Sequence, residues 1–221
     1  MATPSGRSEH FEPRRQEIID RAAVLFAENG YAATGVSEIC KATGLGKGAL
    51  YHYIGSKESL LVAIQDRVLE PLMAQAKEIV RFDTHPVVKI RLLSEVLLNS
   101  IMSRVDHIWV YEHDYRHLTG ENLERMLAQR DEFERLIEDA IAEAIDNGFL
   151  RDINPRLATL QFLNLHNHTY RWASTANQLW SVQELSDEYC HTLIRGMAAS
   201  DAQLEGLDVE ANRLRKILAA A

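Results

Sequence analysis

A cation, a phenol and an imidazole lie close together in this chain, at Lys47, Tyr51 and His52. These groups can hydrogen-bond to phosphate oxygens and to the edges of bases. Small residues flank the lysine, with Gly46 before it and Gly48–Ala49 after it, and small residues let a backbone come close to another surface. The segment therefore has the chemistry to bind nucleic acid. A helical hairpin that touches no partner is an equally good interpretation of this pattern alone.

The elements that position these side chains can be predicted from the surrounding residues. A short helix is expected over residues 36–43, a tight turn at Gly44–Leu45, and a second short helix from residue 46 or 47 to 53. Ser56 is placed to cap a third helix, with Glu58 in its first turn where a negative charge suits the helix dipole. Two short helices joined by a glycine-containing turn form the helix-turn-helix plan.

The run GYAATGVSEICKATGLGKGALYHYIGSKESL, residues 30–60, resembles the DNA-binding domain of the TetR family of transcriptional repressors. The resemblance implies that the DNA-contacting residues are Thr34, Gly46, Lys47, Gly48, Ala49, Tyr51, His52 and Lys57. The chain departs from the family at Gly35, Gly46 and Ala49, where Ser or Thr is usual. The contacts are therefore expected to fall on Lys47, Tyr51, His52, Lys57 and backbone amides.

Charge is distributed unevenly along the 221 residues, whose formal net charge is −8. Residues 1–60 carry equal numbers of acidic and basic side chains, so the whole excess of negative charge lies in residues 61–221. The acidic residues 61–221 repel DNA, so contact with DNA is favoured only at the neutral residues 1–60. Two cysteines, Cys40 and Cys190, do not indicate a disulfide framework. No apolar run approaches the ~20 residues of a membrane span, and no signal-peptide core is present, so a cytoplasmic protein without a membrane partner is expected.

The rest of the chain has helical periodicity and no strand pattern, which predicts an all-α protein of about nine helices, or ten if the last twenty residues are helical. The first helix is predicted over residues 14–29, and a longer one from 56 toward 80, bent or ended by Pro71. Further helices are predicted over residues 86–104, 106–118, 121–147, 155–175 and 182–198.

The predicted organisation follows from these elements and from the resemblance. Residues 1–13 are expected to form a flexible arm, 14–60 a three-helix helix-turn-helix head, 61–200 a helical ligand-binding and dimerisation body, and 201–221 a C-terminal helix or tail. Arg7, Arg14 and Arg15 in and beside the arm either touch DNA or belong to a solvated tail; the sequence favours neither.

A row of polar residues marks the helix predicted over 155–175. Gln161, Asn164, His168, Arg171 and Thr175 share one face because they are spaced by three and four residues. The row faces solvent, a dimer partner or a ligand cavity. In a ligand cavity, Arg171 would hold a phosphate or carboxylate, and the neighbouring Trp172 would stack on a flat group or fill an interface.

Residues 109–117, WVYEHDYRH, are the second candidate site. His113 and His117 have an i, i+4 spacing that suits a metal, with acidic residues 112 and 114 beside them. No third ligand stands at a diagnostic spacing, so we predict no metal, no cofactor and no catalytic residue. Trp109 and Tyr111 either line an apolar pocket or pack in the core. With His113 and the polar row they complete the candidate ligand residues: Trp109, Tyr111, His113, Gln161, Asn164, His168, Arg171 and Trp172.

Residues 145–174, IDNGFLRDINPRLATLQFLNLHNHTYRWAS, are similar to TetR-type regulators of fatty acid, steroid and aromatic acid breakdown, several of which sense acyl-CoA thioesters. The resemblance implies a homodimer formed by helices 155–175 and 182–198. The second of these helices offers an apolar face for the interface: Leu185, Tyr189, Leu193, Ile194 and Met197. It also implies an inverted-repeat DNA operator and a small-molecule inducer, either an acyl-CoA or a hydrophobic acid.

Three function classes follow from the sequence. The first is a ligand-responsive transcriptional repressor. The second is a metal-dependent hydrolase that uses the His, Glu and Asp cluster at residues 112–117. The third is a DNA-binding protein that responds to no ligand.

Overall fold

The computed structural model describes residues 6–173, 179–200 and 206–219. Within these ranges the chain forms ten α-helices and no strand, apart from one isolated antiparallel bridge between Leu150 and Ala198. The all-α prediction is confirmed. None of the helices in these ranges is long and apolar enough to cross a bilayer.

The helices begin and end as follows: α1 (Gly6–Asn29), α2 (Val36–Thr43), α3 (Lys47–Ile54), α4 (Lys57–Arg81), α5 (Pro86–Ser103), α6 (Val105–Asp114), α7 (Gly120–Asp146), α8 (Pro155–Asn167), α9 (Val182–Met197) and α10 (Leu207–Leu218). Two short 3₁₀ helices span Tyr115–His117 and His168–Arg171. The last of the ten, α10, resolves the choice between a C-terminal helix and a tail in favour of a helix.

The first compact unit comprises residues 6–69 and 106–127. Its floor is α1, whose Ile19, Ala22 and Phe26 are almost fully buried, as their helical spacing predicted. Residues 106–127, which the sequence placed in the body, belong to this unit because Val110 and Tyr111 pack in the same core as Phe26.

The second unit comprises the remaining described residues. Helix α5 has buried residues on several of its sides, among them Val88, Leu93 and Ile101. This is expected of a helix surrounded by other helices. Helices α8, α9 and α10 pack against it. The apolar residues of α9 assigned to a dimer interface serve this core instead: Leu185, Ile194 and Met197 are buried within the chain, and only Tyr189 and Leu193 are half-buried.

Three helix boundaries differ from the predictions. Helix α1 begins at Gly6, so residues 6–13 of the expected flexible arm are helical. Helix α6 ends at Asp114, before the predicted end at residue 118, and the chain continues as the 3₁₀ helix Tyr115–His117. Helix α4, in contrast, passes through Pro71 and reaches Arg81, close to its predicted end. Helix α8 ends at Asn167 and the chain continues as a 3₁₀ helix, while Thr175, the last member of the polar row, lies outside the described residues. The step of three residues from His168 to Arg171 suits both kinds of helix, so the spacing did not distinguish a 3₁₀ helix from a continued α-helix.

Candidate functional site

Helix α3 has one face in the core and one open face. Leu50 and Ile54 are buried, whereas Lys47, Gly48, Ala49 and His52 are exposed. Because two of these four residues have almost no side chain, the helix backbone can approach a flat or grooved surface closely, with a lysine and an imidazole beside it. All four residues lie on the short helix that the sequence predicted from residue 46 or 47 to 53.

The N-terminus of α3 is open. Its N-cap is Gly46, which offers no side chain to accept hydrogen bonds from the first turn. The first backbone N–H groups of a helix have no partner within the helix and attract anions such as phosphate. The glycine, which replaces the usual Ser or Thr, therefore leaves these N–H groups available to a ligand from outside.

Two arginines of α1 hold α2 in place by binding its C-terminal carbonyl groups. The Arg14 guanidinium donates to the Thr43 carbonyl oxygen at 2.7 Å, and Arg21 donates to the Ala42 carbonyl oxygen at 2.7 Å. A cation at this end of a helix also suits the helix dipole. Arg14, one of the arginines considered for the DNA contact, is thus used to fix the helix pair, and Arg15 lies 3.5 Å from Glu12.

Gly44 makes the turn between α2 and α3. Its φ of 69° lies in the left-handed region, which a residue with a Cβ adopts only at a cost. The amide of Leu45 donates to the Cys40 carbonyl oxygen at 3.0 Å across this turn. The sharp reversal fixes the angle between the two short helices.

Phe11 also orients α3, and the sequence analysis missed it. Its ring stacks on Tyr53, with centroids 4.8 Å apart, and meets His52 edge-on at 5.6 Å. The N-terminal part of α1 therefore packs on the helix that presents Lys47 and His52. An aromatic residue between Gly6 and Pro13 was the available signal, but those helix breakers favoured an irregular segment.

Thr34 is not placed to contact DNA through its side chain. The residue is 1% exposed, and its hydroxyl donates to the Gly30 carbonyl oxygen at 2.9 Å. Its role is to hold the turn between α1 and α2. The resemblance to the family implied a DNA contact, and the sequence alone does not show that the hydroxyl is used by a carbonyl group of the preceding turn.

Lys57 is also used inside the unit. Its Nζ donates to the Tyr31 carbonyl oxygen at 2.5 Å and lies 4.1 Å from the centroid of the Tyr31 ring. Burial lowers the pKa of this amine, although Asp114 and Glu38 act in the opposite direction. Lys57 thus joins the start of α4 to the turn after α1, which leaves Lys47 and His52 as the exposed polar side chains of the predicted set. Tyr51 is half-buried.

The candidate ligand residues of α6 belong to the first unit. Tyr111 packs in its core and is 8% exposed, as the core-packing alternative predicted. Trp109 is more exposed and stacks on the His113 ring at 4.3 Å, while His113 Nδ1 lies 2.9 Å from the Trp109 carbonyl oxygen. The two rings thus contact each other.

Asp114 and His117, which belong to the cluster that the hydrolase hypothesis would use, have structural contacts. Asp114 accepts a hydrogen bond from the Tyr31 amide at 3.2 Å, and the His117 ring stacks against the Tyr31 ring at 5.2 Å. Among the described residues, no group of three His, Cys, Asp or Glu side chains has the geometry to hold a metal ion.

The polar row on and after α8 points away from the interior of the second unit. Gln161, Asn164, His168 and Arg171 are all exposed. Of the interpretations that the sequence left open, a cavity inside a single chain does not fit this placement. Solvent or a second copy does. Trp172 is half-buried beside the core residues of α5 and α9.

The sequence analysis missed a buried network of hydrogen-bonded side chains in the second unit. Ser186 donates to Ser94 at 2.9 Å, and Ser94 lies 2.6 Å from His166 Nε2. Because His166 Nδ1 is 2.7 Å from the Phe162 carbonyl oxygen, which can only accept, Nδ1 carries the proton and Nε2 accepts from Ser94. Burial lowers the pKa of His166 to about 4, against the opposing effect of that carbonyl, so the ring is neutral. The i, i+4 spacing of Phe162 and His166 was the signal available in the sequence.

Two family matches cover most of the chain. Residues 18–64 match bacterial regulatory proteins of the tetR family, and residues 83–197 match the tetracyclin repressor-like C-terminal domain. The chain belongs to the TetR family. It is a transcriptional regulator and not an enzyme, which removes the hydrolase hypothesis.

Individual relatives agree with this assignment. The transcriptional repressor KstR2 of Rhodococcus jostii is 28% identical over 188 residues, which cover 84% of this chain and 92% of KstR2. The solved structure of PfmR from Thermus thermophilus has a TM-score of 0.73 at 27% identity and covers 80% of this chain and 97% of its own. The structure of AibR with isovaleryl coenzyme A and operator DNA has a TM-score of 0.72 at 24% identity, with coverage of 82% and 98%.

Proposed function

We propose that this TetR-family member is a cytoplasmic repressor that binds an inverted-repeat operator as a homodimer and is released by an acyl-CoA thioester. The open face of α3 is the observation that carries the DNA-binding part. It presents Lys47 and His52 beside a backbone bare of large side chains, and its first turn has no side-chain cap. In a helix-turn-helix protein this helix lies in the major groove.

Lys47 and His52 have distinct roles in the proposal. Lys47 stands at the first position of α3, where its ammonium reaches either a phosphate or the acceptor atoms of a guanine. His52 lies five residues further along, about 1.4 turns of the helix, is also exposed, and donates to a phosphate or a base edge. Phosphate contact by the half-buried Tyr51 remains part of the proposal, whereas Lys57 and Thr34 support the helices.

Exposed apolar residues on α8 and just before α9 support the homodimer. Leu157 and Leu160 of α8 are 60% and 38% exposed on the side that carries the polar row. Trp180, which precedes α9, is 47% exposed. Exposed apolar residues that cluster with polar ones are typical of an interface. We assign this surface, rather than the buried residues of α9, to the second copy.

Helix α9 adds a charge pattern that suits an antiparallel pair. Its exposed residues include Glu184 and Glu188 in the first half and His191 and Arg195 in the second half. A two-fold axis across such a helix places the acidic half of one copy opposite the basic half of the other. The surface is therefore complementary to itself.

An inverted-repeat operator follows from the two-fold symmetry. Two copies related by a two-fold axis present two identical α3 helices to successive major grooves. The DNA half-sites must then share that symmetry.

The inducer is proposed from a structural relative together with an exposed cation of the second unit. AibR was solved with isovaleryl coenzyme A, and a CoA thioester needs both an apolar surface and a cation for its phosphates. In this chain Arg171 is exposed and Trp172 lies next to it. Because the polar row faces outward, the proposed CoA contact lies on the surface shared with the second copy. A free hydrophobic acid is the fallback ligand.

Release of operator DNA tests the inducer. Operator-bound protein is titrated with acyl-CoA thioesters, with the free acids and with coenzyme A alone, and DNA anisotropy is recorded. We expect release by a thioester, and an Arg171→Ala variant should need about tenfold more thioester because a charge-assisted contact is lost. Release by a free acid alone would select the fallback class, and no release by any of them would favour a ligand-independent DNA-binding protein.

A further inference from the structure

A polar cleft lies between α5, α9 and α10 in the second unit. Its volume is about 480 Å³, within the range of roughly 300–1,000 Å³ that is usual for small-molecule sites. Charged side chains from all three helices line it: Arg91, Asp187, His191, Arg195, Asp208 and Arg215. The cleft is separate from the exposed polar row that carries the inducer proposal.

Arg91 of α5 is the central cation of the cleft. Its side chain is 16% exposed, and its guanidinium donates to Asp187 at 3.0 Å and to Asp208 at 2.5 Å. Arg215 of α10 lies beside it and is bound by Glu95 and, at 3.3 Å, by Asp187. The arrangement is a chain of alternating charges across three helices.

The three carboxylates that pair with Arg91 and Arg215 differ in how far they are buried. The side chain of Glu95 is 15% exposed and that of Asp187 is 41% exposed. Asp208 is 77% exposed and stands in the first turn of α10. An exposed carboxylate contributes little to an ion pair because water screens its charge, so an anion from solution can take its place on Arg91.

We propose that the cleft binds a small molecule with a carboxylate or phosphate group, which replaces Asp208 on Arg91. The planar guanidinium suits either group because it donates two parallel hydrogen bonds. His191 and Arg195 also line the cleft, but they belong to the α9 face assigned above to the second copy, so the proposal rests on Arg91. This site does not depend on the proposed inducer contact at Arg171.

Displacement of Asp208 loosens one of the attachments of α10. The helix is also held through Arg215, through a hydrogen bond from Thr84 to Glu210, and by its buried residues Leu207 and Leu214. The family match ends at residue 197, so α10 lies beyond the region matched to the family. In the proposal, α10 lies over the cleft, and its Asp208 carboxylate binds Arg91 where the anionic group of the ligand would bind.

Calorimetric titration of the full-length protein with inorganic phosphate and with octanoate tests the site and separates its two sources of anionic group. We expect one-to-one binding of at least one probe. Asp208→Asn should tighten it about threefold because the competing carboxylate is gone. Arg91→Gln should weaken it by about tenfold or more. As the matched control, Asp152→Asn removes an equally negative but exposed side chain outside the cleft and should leave affinity unchanged.

Cys190 provides a second readout, since it lines the cleft and is 2% exposed. In a Cys40→Ala background, its modification by a thiol reagent should accelerate several-fold in Asp208→Asn without probe, because the attachment of α10 to Arg91 is weakened. Absence of binding to both the wild type and Asp208→Asn would overturn the proposal. So would equal tightening by Asp208→Asn and Asp152→Asn, or wild-type affinity in Arg91→Gln.

Discussion

At the scale of single residues, two lysines of the same motif have different roles. Lys47 is exposed at the start of α3, while Lys57 donates to the Tyr31 carbonyl oxygen and lies over the Tyr31 ring. The sequence predicted that both contact DNA, because a motif indicates which residue types occur but not whether a neighbouring carbonyl group accepts their protons. Exposure depends on the packing of α1, α4 and the turn between them.

The two lysines should therefore respond differently to substitution. Lys47→Ala should weaken operator binding and lower the slope of log K against log salt by about one unit, since one phosphate contact is lost. Lys57→Met should leave that slope unchanged and lower the free energy of unfolding by about 1–2 kcal/mol, because a hydrogen bond and a cation–π contact are removed. Anisotropy titrations at several salt concentrations and urea unfolding measure both. A drop of one unit in the slope for Lys57→Met would return Lys57 to the DNA interface.

His166 provides a prediction about pH. Its pKa is lowered to about 4 in the folded chain, against an unfolded value of ~6.5. Well above pH 6.5 the ring is neutral in both states, and its contribution to the free energy of unfolding is fully present. As the pH falls from 6.5 toward 4, only the unfolded chain gains this proton, so the free energy of unfolding should fall by ~1.4 kcal/mol per unit.

A His166→Gln variant isolates that effect, because glutamine stays neutral over the whole range. Urea unfolding at pH 7 and pH 5 should show a smaller loss of stability in this variant than in the wild type. His52→Gln, at an exposed position on α3, is the control because no DNA is present in the unfolding experiment, and it should retain the wild-type loss. Identical pH dependence in all three proteins would mean that His166 is not the buried neutral group described above.

At the scale of elements, helical periodicity located α2, α5, α7 and α9 to within a residue or two. The errors lie at ends where another element supplies the deciding contact. Helix α1 starts early because Phe11 packs on Tyr53, a contact between residues far apart in sequence. The apolar face of α9 was assigned to a partner because periodicity shows that a face is buried but not what buries it.

Phe11 should matter for DNA binding through α3. Phe11→Ala removes an aromatic contact worth about 0.5–1.5 kcal/mol, and we expect operator affinity to fall about two- to tenfold with little change in the salt slope. Phe11→Tyr keeps the ring and should restore binding. If Phe11→Ala bound the operator as the wild type does, the early part of α1 would have no role in orienting α3.

At the scale of the whole molecule, the proposed homodimer depends on the exposed face of α8. Leu157→Glu with Leu160→Glu places two charges on the proposed interface and should convert a dimer to a monomer at micromolar concentration. Leu127→Glu is the matched control, because Leu127 is 39% exposed but belongs to the first unit. Light scattering measures the mass. A dimer that survived the double substitution would place the interface on another surface.

The most direct test of the central claim is in vitro selection from a library of random DNA duplexes with the purified full-length protein. The account predicts that the enriched duplexes share an inverted repeat whose half-site centres are separated by about one helical turn or a multiple of it. It also predicts two chains per bound duplex, and loss of enrichment with Lys47→Ala. Enrichment of a site without two-fold symmetry, or no enrichment at all, would contradict it.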